Sequence, residues 1–228
     1  MRMVELCRLT RPPRDTLDSL MAERQGHPIL AAVYDRLTRS AERSFLGAHR
    51  EWLATRAAGR VLDLGAGTGA NFPYLGAGAE IIAAEPDPYM LERGRQRARA
   101  LDRAVTFLPD AAESLSLGPA SVDTVLATLV LCSVDDMARA LAQIRRVLRP
   151  GGRLLFLEHV RLEHPLWGRV QDAVTPVWKT LFAGCHPNRD TVSAIRRAGF
   201  AIDGLERYAF GPIPGPLLVR GAALAARS

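Results

Sequence analysis

The chain has 228 residues, 48% hydrophobic and 24% charged, with a net charge of +6; these are the proportions of one globular α/β domain with a packed core. The basic charge is scattered arginine, Lys179 being the only lysine, and aromatics make up 6%, which excludes the basic stripe with interleaved aromatics of a nucleic-acid footprint. Three cysteines (Cys7, Cys132, Cys185) without a C-x-x-C pair exclude a disulfide framework and fit a reducing cytoplasm.

No apolar run approaches the roughly 20 residues that cross a bilayer, and the opening MRMVELCRLTRPPRD lacks an apolar signal core. Residues 1–25, broken by Pro12 and Pro13, read as a tail or capping segment before a single domain over 26–228. Ile29, Val33, Leu37, Phe45, Leu46, Trp52 and Leu53 then recur at helical spacing over 28–58. Strands and helices alternate after that. Strands are expected at 61–64, 80–85, 105–108, 122–127 and 153–160, and helices from 71, at 89–101 and at 135–148. Arg149-Pro150-Gly151-Gly152 reads as a turn. Residues 161–187 break the rhythm as an insertion with short helices. A helix at 189–198 and strands at 201–208 and 216–223 finish the chain. Such alternation predicts parallel βαβ units in a doubly wound sheet.

The stretch VLDLGAGTGANF ends a buried-looking strand in Gly65, Gly67 and Gly69, a loop that brings backbone close to a nucleotide. NAD and S-adenosylmethionine (SAM) are the two candidates. Asp63 lies inside the strand, where a carboxylate is costly without a polar partner; it suits the charged amino group of SAM, or else bonds loop amides. Glu85 ends the second strand and suits the ribose hydroxyls of either nucleotide. Asp110, with the amide of Ala111, can read an adenine edge; with Glu113 it also resembles a capping box. About 160 residues follow the loop, enough for one sheet without a separate substrate domain. Together these features favour SAM.

The series VLDLGAGTG, AAEPDP, PDAAESL, SVDTVLATLVLCSV and RVLRPGGRLLFLEHV resembles the class I SAM-dependent methyltransferases. The resemblance implies a Rossmann-like, seven-stranded α/β sheet with an antiparallel last strand. GTGANF, TLVLCSV and W…LFAGCHPNRDT are similar to the methyltransferase-like thiol S-methyltransferases of animal membranes and their bacterial relatives. The animal proteins carry an N-terminal hydrophobic anchor that this sequence lacks. The cofactor contacts implied are Asp63, Gly65, Ala66, Gly67, Gly69 and Asn71 around the loop. They continue with Glu85 and Pro86 at the ribose, Asp110, Ala111 and Ala112 at the adenine, and Thr128 and Leu129 at the sulfonium.

The acceptor must meet the methyl group at attack distance, deprotonated. His159, ending the fifth strand, is the candidate base, since an imidazole suits proton removal at neutral pH; it equally suits a hydrogen bond to the next loop. Glu158 orients it or lines the pocket, and strand alternation lets only one of the pair face the acceptor. Cys132, Cys185, His186, Trp167 and Trp178 are candidate acceptor contacts, with ordinary packing the alternative for the cysteines and tryptophans. GCHPNRD either places polar groups over the pocket or, equally, opens a helix with Asn188 as its cap. His159 and His164 form no ligand cluster, so no metal is expected. The expected activity is methylation of a small, partly apolar molecule by a monomer or homodimer, without nucleic acid or a membrane span, though with room for peripheral membrane contact. Thiol S-methylation is favoured on resemblance alone. O-, N- or C-methylation of a natural product, quinone or lipid headgroup, and SAM binding without catalysis, are the alternatives.

Overall fold

A computed structural model describes residues 28, 32, 36, 40, 42–182, 184–209 and 215–225. The expected tail at 1–25, and Ile29, Val33 and Leu37, lie outside the described residues. A π-helical turn, Glu42–Leu46, leads into α1 (Gly47–Ala54). The chain continues through β1 (Arg60–Leu64), β2 (Glu80–Ala84), α2 (Pro88–Ala100), β3 (Val105–Leu108), β4 (Val122–Thr128), α3 (Met137–Val147) and β5 (Leu148–His159). It ends with α4 (Pro165–Leu181), α5 (Thr191–Arg197), β6 (Phe200–Ala209) and β7 (Pro216–Ala225).

The strands form one seven-stranded sheet in the order β3-β2-β1-β4-β5-β7-β6. The first five strands pair in parallel, and β7 runs antiparallel to both β5 and β6, as expected. The central strands are apolar on both faces because both faces are covered. Successive side chains point to opposite sides. Leu62 and Leu64 therefore join one core layer with Val125, Ala127, Ile144 and Phe156, while Val61 joins the other with Leu53, Phe72, Ile81, Leu126 and Leu155. Helix α3 shows how a helix docks on this sheet. Ala140, Leu141, Ile144 and Val147 share a buried stripe, and Asp136 caps the N-terminus by accepting the Arg139 N–H at 3.0 Å. Each large aliphatic side chain buried this way contributes about 1.5–3 kcal/mol.

Several expectations are corrected. No helix follows β1: residues 67–74 form successive turns, closed by Phe72 N–H on Gly69 O and Tyr74 N–H on Asn71 O, both 3.1 Å. Pro73 supplies no amide, and Gly76 and Gly78 follow at once, so a helix has neither donors nor length. β5 begins at Leu148 and runs through the Pro-Gly-Gly segment. The register passes from Val122↔Leu148 to Thr124↔Arg153, so the extra residues bulge out of the ladder instead of ending it. The 161–187 insertion contains one 17-residue helix, α4, with Pro176 inside it. Its Leu166, Trp167, Val170, Val174 and Val177 face outward and are exposed.

Candidate active site

The three loop glycines all take left-handed backbone, with φ of 58°, 54° and 78°, a conformation that side chains disfavour. A Cβ on Gly65 would sit 2.3 Å from Val130 Cγ2, and one on Gly69 2.3 Å from Phe72 Cε2, whereas one on Gly67 would meet nothing within 4 Å. The loop is thus packed at both ends and open in the middle, a shape that could hold a ligand. Ala66 is buried and donates to Ala84 O at 3.1 Å, tying the loop to β2. Glu85 accepts the Gly67 N–H through Oε2 and the Asp87 N–H through Oε1, both at 2.9 Å. Burial pushes its carboxyl above the usual range. Pro86 bridges Glu85 and Asp87, the residue that caps α2.

Asp63 is fully buried. Its Oδ1 accepts the Asn71 side-chain amide at 2.7 Å, and the same nitrogen lies 3.3 Å from Thr128 Oγ1. Asn71 Oδ1 accepts from Arg50 at 2.8 Å, and Arg50 pairs with Glu42 at 2.8 Å. Asp63 Oδ2 is buried with no hydrogen-bond partner. Burial raises this carboxyl to about 6. A buried acceptor without a donor is costly, and it marks where a cationic ligand group fits. Sequence reasoning missed Arg50 and Glu42. The one available signal was a charged residue among the helical apolar positions Leu46, Trp52 and Leu53.

Asp110 accepts the Ser116 N–H at 2.7 Å and its hydroxyl at 2.6 Å, both through Oδ2. The capping box does not form: Glu113 instead accepts the Asp135 N–H at 2.8 Å, and residues 111–114 are turn rather than helix. Ala111 O closes that turn by accepting the Ser114 N–H at 3.0 Å, and Ala112 packs into the core.

Past β4, Leu129 takes φ 58° and the chain folds over the fully buried Glu158. Glu158 accepts the amides of Val130 at 3.0 Å, Leu131 at 2.9 Å and Cys132 at 3.1 Å. Burial raises its carboxyl to about 7, with those amides opposing the shift. Glu158 therefore shapes the loop, and the expectation that it lines the acceptor pocket or orients His159 is corrected.

His159 is half-buried, and its Nδ1 faces two sulfurs, Cys185 Sγ at 3.4 Å and Cys132 Sγ at 3.6 Å. The two sulfurs are 3.4 Å apart, and both cysteines are free and buried. The Cys185 thiol is held well below the ordinary thiol range by Cys132 and His159, and Cys132 is pushed up. Trp178 meets the His159 ring edge-on, with centroids 6.4 Å apart, and stacks on Phe182 at 4.2 Å. His186 donates its backbone N–H to Cys132 O at 2.7 Å, while its own Nδ1 is buried without a partner. Trp167 remains 38% exposed on the outer side of α4. Asn188 does not cap α5: Asp190 does, accepting the Ser193 N–H, and Asn188 donates to Asp172 at 2.8 Å.

A methyltransferase-domain family model matches residues 62–156. The chain is similar to human thiol S-methyltransferase TMT1A, 34% identical over 174 residues, covering 74% of this chain and 71% of that protein. It is also similar to the ubiquinone/menaquinone biosynthesis C-methyltransferase UbiE of Dinoroseobacter shibae, 34% identical over 72% of this chain and 69% of that one. Among solved structures, a SAM-dependent methyltransferase of Thermotoga maritima, described as a possible histamine N-methyltransferase, superposes with TM-score 0.59 and 23% identity, over 86% of this chain and 99% of its own. The glycine cradle, the acids at the strand ends and a β7 inserted antiparallel beside β5 all sit where these comparisons lead: the chain belongs to the class I SAM-dependent methyltransferases.

Proposed function

We propose that this enzyme methylates the sulfur of a small, partly apolar thiol. One observation carries the reading. At the carboxyl ends of β4 and β5, the site gathers Cys132, His159 and Cys185 beneath Trp178 and Phe182, in a chain 34% identical to a thiol S-methyltransferase. A soft, apolar pocket with an imidazole suits a thiol better than a charged headgroup.

Bound SAM supplies an electrophilic methyl on a sulfonium. The chain's own residues do the rest. Ionised Asp63, steadied by Asn71 and Arg50, holds the ammonium. Glu85 takes the ribose hydroxyls and Asp110 with Ala111 the adenine, while Thr128 and Leu129 border the reacting centre. The loop fixed by Glu158 brings Cys132 to the acceptor side and seats Val130 against Gly65, so cofactor and acceptor ends share one rigid segment. In-line attack then needs alignment and a deprotonated sulfur. No helix among the described residues is long and apolar enough to cross a membrane.

Methyl transfer from labelled SAM to alkyl thiols, aryl thiols, hydrogen sulfide, phenols, quinols and amines, with products identified by mass, tests the reading. Thiol-selective product is expected. A quinol product, favoured by the likeness to a quinone C-methyltransferase, or no thiol product despite tight SAM binding, would overturn it.

A further inference from the structure

We propose that Cys132, His159 and Cys185 are a three-ligand site for a thiophilic divalent ion, zinc above all, whose fourth position takes the acceptor sulfur. The occupant of that fourth position rests on the thiol reading above; the ion site does not.

The three donor atoms come from three distant segments: the loop after β4, the end of β5 and the Gly-Cys-His loop after α4. Packing alone accounts for two buried cysteines. It does not account for the convergence of both sulfurs and an imidazole nitrogen on one point. Zinc bonds of about 2.3 Å to sulfur and about 2.0–2.1 Å to nitrogen give tetrahedral edges of about 3.8 Å between sulfurs and about 3.5 Å from sulfur to nitrogen. The edges here are 3.4 Å between sulfurs, and 3.4 and 3.6 Å from sulfur to nitrogen. A few tenths of an ångström at one thiol completes the face. Among the described residues, no other trio of His, Cys, Asp and Glu side chains makes such a group.

The backbone holds each ligand in place. Cys132 N–H is fixed on Glu158 at 3.1 Å, Cys185 N–H on Phe182 O at 2.9 Å and His186 N–H on Cys132 O at 2.7 Å. Thr191 donates its hydroxyl to His159 O at 3.2 Å. Two thiolates and a neutral imidazole balance a dication, so the bound centre carries no net charge into this buried site. Two cysteines and one histidine with a fourth position open is a donor set for zinc that binds substrate. Trp178 lies beside His159 and stacks on Phe182, which is 50% exposed.

The chemistry balances. An incoming thiol binds the ion and releases its proton to solvent. Its sulfur lone pair attacks the sulfonium methyl, the new C–S bond forms as the old one breaks, and that electron pair stays on the departing thioether. The methylated product is a neutral thioether, a weaker ligand, and leaves. His159 then serves as a ligand rather than as a general base.

The test uses the full chain, purified with a phosphine reductant and demetallated by chelation. Zinc is titrated and followed by native mass spectrometry, and cobalt(II) is titrated and followed by its thiolate charge-transfer absorption. One ion per chain is expected. Cys132→Ser, Cys185→Ser and His159→Ala should each weaken zinc binding at least about a hundredfold, more than the loss of a supporting group, while exposed His164→Ala keeps it. S-Adenosylhomocysteine binding, retained in all four variants, controls for folding. A small thiol should shift the cobalt absorption. No ion bound with both cysteines reduced, a Cys132–Cys185 disulfide persisting under reductant, or equal zinc affinity in the ligand variants would overturn the site. Stoichiometric zinc in an enzyme that methylates no thiol would uphold the site and remove its acceptor. Undiminished thiol methylation by fully demetallated enzyme would overturn the placing of the acceptor sulfur on the ion and keep the function.

Discussion

Asn71 holds Asp63 from one side only: its amide reaches Oδ1 at 2.7 Å and leaves Oδ2 buried without a donor. The folded chain therefore favours protonated Asp63, whose carboxyl rises from 3.8 to about 6. A native value above the unfolded one makes this contribution fully present below about pH 4 and lost as pH rises through 6. At pH 8 the ionised, ligand-free carboxylate costs up to about 3 kcal/mol. Asp63→Asn should thus raise the melting temperature of the ligand-free protein at pH 8 by several degrees and change it little at pH 4, in matched thermal scans.

The same proton links to cofactor affinity. An ammonium ligand binds ionised Asp63, so affinity for S-adenosylhomocysteine should climb up to tenfold per pH unit below about 6 and level off above it. Calorimetric titration from pH 5 to 8 measures this. A flat profile would remove Asp63 from the methionyl end.

Two glycine substitutions should fail differently. Gly65→Ala combines left-handed backbone with a 2.3 Å clash against Val130, and should destabilise the fold and lose cofactor binding together. Gly67→Ala bears only the left-handed strain, about 1–2 kcal/mol, because nothing lies within 4 Å of its Cβ. It should fold, and lose affinity by placing a methyl where the cofactor must approach. Melting curves and binding isotherms on the pair separate the effects.

Glu158→Ala would leave three amides, two of them buried, without an acceptor, at about 1–3 kcal/mol for each buried one left unpaired. A loss of at least about 2 kcal/mol is expected, with hydrogen exchange at Val130, Leu131 and Cys132 accelerated beyond the global change. Retained protection there would show that the loop stands without it.

The sheet was legible in the sequence because its strands are buried on both faces and read as short apolar runs between breakers. The acids were legible because Asp63, Glu85 and Asp110 interrupt or end those runs, where a charge needs a reason. What escaped was set by tertiary contact. β5 continues through Pro150, Gly151 and Gly152 because β4 tolerates a bulge there, against local turn chemistry. Helix α4 keeps Pro176 inside it, where local propensity would break it. Arg50 reaches Asn71 across 21 residues, and Cys185 meets His159 across 26. No spacing rule links such pairs, so the absence of a histidine cluster in the sequence carried no information about the trio that the fold assembles.

The placement of β7 sets an order of events during synthesis. This strand lies between β5 and β6 and pairs Leu218 with His159, while Leu217 O accepts the Val160 N–H at 3.0 Å. Strands β1 to β4, which carry the glycine loop, are made about a hundred residues earlier, while the domain folds as a unit. The segment holding His159 gains its flanking strand only after residue 225 is made. The pairing that flanks His159 is thus the last of the sheet to be completed, and it waits on the C-terminal hairpin.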